Sequence, residues 1–200
     1  MAKLEKKQKT IIFSLGILVF LLLAAGFIFL LPQAESDDRQ APETVASLLR
    51  GIGIQVSNQP VQPLDFTLQL LDGDSVTLSS LKGNVVLLNF WATWCPSCRQ
   101  EKPSLNAFYQ HFQNQGLEVF SINLRENPDD VRQFVQSNGY TLPVLLDLDG
   151  NVGSTYGVRA IPTTFIIDQS GMIIGRLVGS INWDSPQVFE VFEALLNNTL

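Results

Sequence analysis

The sequence predicts an α/β domain in which a mixed β-sheet carries helices on both faces. Two observations support this fold class. From residue 63 onward, apolar runs of strand length alternate with amphipathic stretches of helical periodicity. Near the C-terminus, two such runs follow each other as a hairpin and a helix closes the chain, so parallel and antiparallel strands should share one sheet. With an apolar share of 46% over 200 residues, the chain can bury one sizeable core.

The first half of the domain should contain a hairpin, two buried strands and a helix. Two short alternating runs flank an Asp-Gly pair at 72–73, which is a hairpin signal. Residues 84–90 (NVVLLNF) are apolar on both faces, as in a central strand. A helix should begin near Pro96 and run towards Gln113, and residues 117–124 (LEVFSINL) should form the next buried strand.

The second half should add a helix, a short strand, a hairpin and a final helix. Asn127 has the position of an N-cap, with Pro128 in the first turn that follows. LPVLLD is a short strand, and GSTYGV a turn or a short helix. Residues 163–179 form a hairpin around a Ser-Gly pair at 170–171, and residues 185–196 form an amphipathic helix.

The first 31 residues have the pattern of a membrane anchor. Residues 1–10 are a basic tail with four lysines against one glutamate, and residues 11–31 carry no charge. As a helix the uncharged run would reach roughly 32 Å, enough to cross a bilayer. The alternative is a cleaved signal peptide, but the run is long for one and Pro32 stands at the candidate cleavage site. We expect an uncleaved transmembrane helix, a cytoplasmic tail and a domain outside the cytoplasm.

Residues 32–62 are expected to be a tether ahead of a domain at 63–200. Four apolar residues within the tether have helical spacing, and two glycines stop the pattern: Val45, Leu48, Leu49, Ile52, Gly51 and Gly53. We expect a short amphipathic helix that packs on the domain or on the membrane surface. Beyond Leu31, nine Lys and Arg stand against eighteen Asp and Glu, which argues against binding to nucleic acid or to anionic lipid headgroups.

Cys95 and Cys98 are the only cysteines, and their spacing indicates redox chemistry. A zinc site needs about four ligands, and the single histidine, His111, should lie on an exposed helix face. We therefore expect no metal. A purely structural disulfide is a poor alternative, because closing so short a loop adds little stability to the fold.

Position assigns a different role to each cysteine. Cys95 falls where a strand ends and a helix begins, so unsatisfied N–H groups and the helix dipole should stabilise its thiolate. Cys98 lies one turn later, where it can attack a mixed disulfide formed at Cys95. We expect Cys95 to attack, Cys98 to resolve, and the two to form a redox-active disulfide.

The segment NFWATWCPSCRQEKP resembles the active-site segment of ResA/TlpA-like membrane-tethered thioredoxin-fold proteins. The resemblance extends over roughly residues 63–197, through FTLQLLDGDSVTLSSLKGNVVLLNFWA, FSINLRENPDDVRQFVQSNGYTLPVLLD, YGVRAIPTTFIIDQSG and GMIIGRLVG. It implies a thioredoxin-like fold with an added N-terminal β-hairpin and an insertion near residues 125–150.

The resemblance also implies further site residues. Ile161-Pro162 matches the family's cis-proline loop, where the Ile161 backbone would pair with an extended substrate segment. Trp94 matches the exposed tryptophan that offers substrate an apolar face. Pro96 is also expected to contact substrate. Glu101 matches the glutamate that modulates cysteine protonation; the alternative is an ordinary solvated carboxylate.

Two departures from thioredoxins proper limit these expectations. Asn89 stands where thioredoxins carry a buried acid, and an amide cannot exchange the proton of the second cysteine. That leaves Glu101 or water. The dipeptide Pro96-Ser97 is typical neither of strong reductants nor of strong oxidants, so the redox potential and the direction of electron flow stay open.

Four functions are compatible with these residues. The resemblance favours a thiol-disulfide oxidoreductase in a bacterial plasma membrane that reduces extracytoplasmic protein disulfides without a cofactor. Apocytochrome c would be a substrate, and a polytopic membrane protein would supply electrons. The alternatives are a disulfide oxidase or isomerase, a peroxidase of the related peroxiredoxin branch, and a non-catalytic peptide-binding module. The peroxidase fits less well, because Ala92 stands where that branch has a threonine.

Overall fold

The computed structural model describes residues 44–197, which form one β-sheet, five α-helices and a 3₁₀ turn at Leu78–Leu81. The strands are β1 (Gln55–Val61), β2 (Thr67–Leu70), β3 (Ser75–Thr77), β4 (Val85–Trp91), β5 (Leu117–Leu124), β6 (Val144–Asp147), β7 (Thr163–Ile167) and β8 (Ile173–Val178). The helices are α1 (Val45–Gly51), α2 (Pro96–Phe112), α3 (Pro128–Ser137), α4 (Asn151–Thr155) and α5 (Pro186–Leu196).

The sheet of the described domain is mixed, as the sequence predicts. Its strand order is β1-β8-β7-β4-β5-β6-β2-β3. The neighbours β4, β5 and β6 run parallel, and the other pairings are antiparallel. The β2–β3 pair is the hairpin expected at the start of the domain, and β7–β8 is the late hairpin. Parallel strands end at the same edge of the sheet, so the loops after β4 and β5 lie side by side.

Strand β4 positions the functional site. All of its residues are buried, because β5 and β7 flank it and side chains cover both of its faces. Successive side chains alternate between the faces of a sheet. Val85 and Leu87 pack on the face covered by α2, and Leu88 and Phe90 pack on the other. Asn89 therefore points towards α2 from within an apolar strand.

Apolar clusters cover both faces of the sheet, which confirms the expected layers. On one face, residues from α1, α2 and α5 pack together with a tryptophan from the preceding loop: Leu49, Phe108, Phe112, Phe192 and Trp183. The ring centroids of Phe108 and Phe192 are 4.9 Å apart. On the other face, Leu78 from the 3₁₀ turn and Val152 from α4 pack with Phe90 and Phe165.

The domain begins earlier than residue 63, and the expected tether is wrong for residues 44–61. The short amphipathic helix exists as α1, but Leu49 is fully buried and packs in the core with residues of α5. The strand β1 then pairs with β8 along the edge of the sheet. The sequence QVSNQPV does not predict a strand, because its residues are mostly polar and include a proline, which sheets tolerate mainly at edges.

The helix boundaries follow the capping signals of the sequence. The Asn127 side chain accepts a hydrogen bond of 2.8 Å from the Asp129 N–H, which caps α3. The helix α2 has Cys95 as its N-cap and Pro96 as its first residue. Its last residue, Phe112, lies one position before the predicted end.

The expected tail at residues 1–10 and the anchor at 11–31 lie outside the described residues. Among residues 44–197, no helix has the length and apolar character needed to cross a membrane.

Truncating Leu49 tests whether α1 belongs to the folded core. We expect Leu49→Ala to lower the free energy of unfolding by about 2–5 kcal/mol, the range for a buried leucine. Arg50→Ala, an exposed neighbour in the same helix, should change it by less than about 0.5 kcal/mol. Urea unfolding followed by tryptophan fluorescence measures both, and equal effects of the two substitutions would show that α1 is a detachable segment.

Candidate active site

Cys95 and Cys98 are joined by a disulfide at the start of α2. Cys95 is the N-cap, in extended backbone conformation, and Cys98 lies inside the first turn. Cys95 retains 3% of its accessible surface, whereas Cys98 is completely buried. Any protein thiol or disulfide must therefore reach the pair through Cys95, and through a narrow opening. This geometry agrees with Cys95 as the attacking sulfur and Cys98 as the resolving one.

Two hydrogen-bond donors lie close to the Cys95 sulfur. The Cys98 backbone N–H donates to Cys95 Sγ across 3.2 Å. The Ser97 hydroxyl oxygen lies 3.5 Å from the same sulfur, within reach of a donated hydrogen bond. When the disulfide opens, these donors and the helix N-terminus face the atom that would carry negative charge. The site can therefore hold a Cys95 thiolate.

The residues expected to meet substrate lie beside Cys95. The Ile161–Pro162 peptide bond is cis, and the Ile161 carbonyl oxygen is 3.7 Å from Cys95 Sγ. Trp94 exposes 67% of its surface, and Pro96 is exposed at the start of α2. A groove of about 440 Å³ runs from Trp94 to Ile161. The structure thus brings together the four residues that the resemblance named.

Glu126, which the sequence analysis did not single out, ties down the loop that carries Trp94. Its carboxylate accepts hydrogen bonds from the Thr93 N–H at 2.7 Å, from the Thr93 hydroxyl, and from Asn123 Nδ2 at 2.6 Å. Trp91 at the end of β4 pairs with Asn123 near the end of β5. An acid just after β5 must therefore lie beside the loop after β4. Treating β4 and β5 as a parallel pair, because a helix connects them, could have indicated Glu126.

Glu101 is a buried carboxylate and not the solvated one that was the alternative. It follows Cys98 by one helical turn and is 2% exposed. Its Oε1 accepts a hydrogen bond of 2.7 Å from Asn89 Nδ2, and its Oε2 accepts one of 3.3 Å from Trp183 Nε1. Burial raises the pKa of Glu101, and the Asn89 hydrogen bond and the charge of Lys102 oppose that rise.

Lys102 is the second charged side chain at this place, and the sequence analysis missed it. It is 2% exposed, and its Nζ donates to Asn89 Oδ1 at 3.0 Å and to the Ser121 hydroxyl. Burial lowers the pKa of Lys102, and the Glu101 carboxylate opposes that change. The spacing of Lys102 from Cys98 and from the buried Leu105 puts it on the inner stripe of α2, so helical periodicity could have flagged it.

Asn89 connects the acid and the amine. Its Nδ2 donates to Glu101 and, at 3.0 Å, to Thr164 Oγ1, while its Oδ1 accepts from Lys102. One side-chain amide thus bridges a carboxylate and an ammonium group next to the disulfide. The sequence indicated only that Asn89 stands where thioredoxins carry an acid. It did not predict the bridge, because the bridge depends on contacts between β4 and α2.

Residues 44–197 contain no cluster of His, Cys, Asp or Glu that could hold a metal ion. His111 is exposed on α2, where its ring stacks on Phe189 with centroids 4.3 Å apart. Its Nε2 lies 3.8 Å from a carboxylate oxygen of Glu193.

Comparisons with known proteins match this chain to thiol-disulfide oxidoreductases. Residues 61–176 match the AhpC/TSA family. The thiol-disulfide oxidoreductase ResA of Bacillus subtilis (strain 168) is 32% identical over 181 residues, which cover 88% of this chain and 89% of that one. ResA of Halalkalibacterium halodurans is 36% identical over 135 residues, covering 68% of this chain and 75% of its own.

Two solved structures have the same fold. A thiol:disulfide interchange protein of the thioredoxin family from Chlorobium tepidum TLS superposes with a TM-score of 0.60 at 28% identity, covering 70% of this chain and 99% of its own. StoA from Bacillus subtilis superposes with a TM-score of 0.58 at 28% identity, covering 66% of this chain and 99% of its own. The fold is therefore thioredoxin-like, and the chain belongs to the AhpC/TSA family and, within it, to the ResA-like thiol-disulfide oxidoreductases.

Proposed function

We propose that this protein is a membrane-anchored reductase of extracytoplasmic protein disulfides. The observation that carries the proposal is the setting of Cys95. Its sulfur accepts a hydrogen bond from the Cys98 N–H at the start of α2 and lies 3.7 Å from the Ile161 carbonyl oxygen. Donors that favour a thiolate lower the pKa of a cysteine and make it a better nucleophile and leaving group. The exposed Trp94 offers an apolar surface next to it.

The reaction is two successive thiol–disulfide exchanges. In the reduced protein, the Cys95 thiolate attacks a substrate disulfide, so a bond from Cys95 to substrate sulfur forms and one substrate thiolate leaves. The Cys98 thiolate then attacks Cys95 Sγ, the Cys95–Cys98 bond forms, and the second substrate thiolate leaves. Two electrons pass from the cysteine pair to the substrate, and the disulfide in the structure corresponds to the oxidised product.

Glu101 is proposed to accept the proton of Cys98 before the second exchange. The Cys98 thiol is completely buried, so bulk water cannot take the proton directly. Glu101 lies one turn further along α2, and the amide of Asn89 cannot replace it. Glu101 also lines an open pocket of about 460 Å³ between Gln100 and Asp184, through which the proton could return to solvent.

The N-terminal sequence supports a location of the reductase at the membrane. The uncharged run at 11–31, which follows a basic tail, supports an anchor at 11–31 and a domain outside the plasma membrane. Oxidising conditions prevail there, so a polytopic membrane protein should return electrons to the pair. Among substrates we propose apocytochrome c, whose haem-attachment cysteines must be reduced before ligation.

A Cys98→Ser variant should trap substrates on Cys95. Without Cys98 the first exchange still occurs, but the mixed disulfide is not resolved. In native membranes we expect adducts that thiol reductants release, and apocytochrome c peptides among the proteins identified by mass spectrometry. Cys95→Ser is the matched control and should form none. Equal amounts of mixed-disulfide adduct on both variants would show that Cys95 is not the attacking sulfur.

The redox state in cells tests the direction of electron flow. A reductase has to be kept ready for substrate, so most of the protein should carry two free thiols when cells are quenched with acid and alkylated with a mass-tagged reagent. The Cys98→Ser variant supplies the one-thiol size standard. A protein found mostly as the disulfide would contradict the reductase and favour an oxidase.

A further inference from the structure

We propose that Lys102 is a positioning residue whose ammonium group keeps Glu101 ionised, and so able to accept the Cys98 proton. The inference deepens the proposed function and rests on it. It concerns a residue outside the motif of the cysteine pair, and it is carried by the contacts of Lys102 inside the domain.

The environment of Lys102 is built for a charged amine. Lysines usually extend their ammonium group into water, but this one is 2% exposed. Two oxygens accept its hydrogen bonds, Asn89 Oδ1 and Ser121 Oγ. The third side of Nζ faces the Trp91 ring, whose centroid is 4.1 Å away, a cation–π distance. A buried charge is costly unless it is paired, so this setting needs a counter-charge.

Glu101 is that counter-charge, and Asn89 transmits the pairing. The two residues are neighbours on α2, both are 2% exposed, and their charges attract. Asn89 presents its N–H groups to the carboxylate and its carbonyl oxygen to the ammonium. A flipped amide would turn its N–H groups towards Lys102 and its oxygen towards Glu101. The two opposite charges therefore fix the amide in the orientation that donates to the Glu101 carboxylate.

Without Lys102, only neutral donors would stabilise the charge on Glu101. These are Asn89 Nδ2 and Trp183 Nε1. The polar groups that β4, β5 and β7 present here are neutral: Asn89, Ser121 and Thr164. The remaining nearby charges are Asp184, which lines the pocket beside Glu101, and Arg99 on the exposed side of α2. Asp184 is an acid and would repel a charged Glu101, and Arg99 is exposed. Among the described residues, Lys102 is therefore the one buried cation that can stabilise the charge on Glu101.

Lys102→Met in the full-length protein tests the inference. Methionine has a similar length and carries no charge, so the substitution removes the counter-charge of Glu101 and leaves most of the side-chain volume in place. Loss of a nearby opposite charge raises a carboxyl pKa by about 1–3 units. In single-turnover reduction of a peptide disulfide, the resolving step should accelerate with pH through the ionisation of Glu101. We expect the substitution to move that rise about 1–3 pH units higher and to slow resolution about tenfold or more at pH values below the rise.

A Glu101→Gln background separates this effect from a structural one. Glu101→Gln should abolish the pH rise, and adding Lys102→Met should then leave the remaining profile unmoved. An equal pH shift in both backgrounds, or no shift with Lys102→Met alone, would overturn the inference.

Infrared spectroscopy of the wild-type protein gives a readout that needs no Lys102 variant and no substrate. With glutamate labelled by ¹³C, the reduced protein should lack a protonated-carboxyl band from Glu101 at pH 7. A band at that pH that disappears in Glu101→Gln would contradict the role of Lys102. This titration is independent of the trapping experiment, so failure of the reductase proposal and failure of the Lys102 inference can be told apart.

Discussion

The hydrogen bond from the Cys98 N–H to the Cys95 sulfur is the contact on which the site depends. It exists because α2 begins at Pro96, directly after the loop that follows β4, so that free N–H groups at the helix start point at the N-cap side chain. In most helices an oxygen occupies this place. A sulfur there becomes easier to ionise, and burial of all of β4 keeps the helix start in a fixed position.

A polar network lies inside an otherwise apolar face of the sheet, next to this contact. Glu101, Asn89 and Lys102 are all buried and joined through one amide. Apolar residues of similar size would have served stability as well or better, because desolvating two charges is expensive. The network is therefore best explained by chemistry. It places a carboxylate one turn from a buried thiol and gives that carboxylate a partner of opposite charge.

Much of the fold could be predicted because its signals are local. The apolar run of β4, the Asn127 cap and the two hairpins each depend on neighbouring residues, and the structure confirms them. The strand β1 was missed because its polar sequence pairs only at the edge of the sheet. Capping and spacing likewise located Cys95 and Cys98 at the start of a helix.

The rest of the site could be predicted only in part. The cis bond before Pro162 came from the resemblance alone, since spacing does not distinguish it from a trans bond. The Trp183–Glu101 hydrogen bond joins residues 82 positions apart, and no local pattern specifies such a contact. Lys102 is an intermediate case, since its position on the inner stripe of α2 was visible while its partners on β4 and β5 were not.

The pH dependence of Cys95 alkylation in the reduced protein is the most direct test of this account. Mass spectrometry can follow iodoacetamide addition at Cys95 and Cys98 separately. The account predicts that Cys95 reacts first. The pH at which its rate is half-maximal should lie well below about 8.5, the pKa of a free cysteine. A midpoint at or above that value, or faster reaction at Cys98, would contradict it.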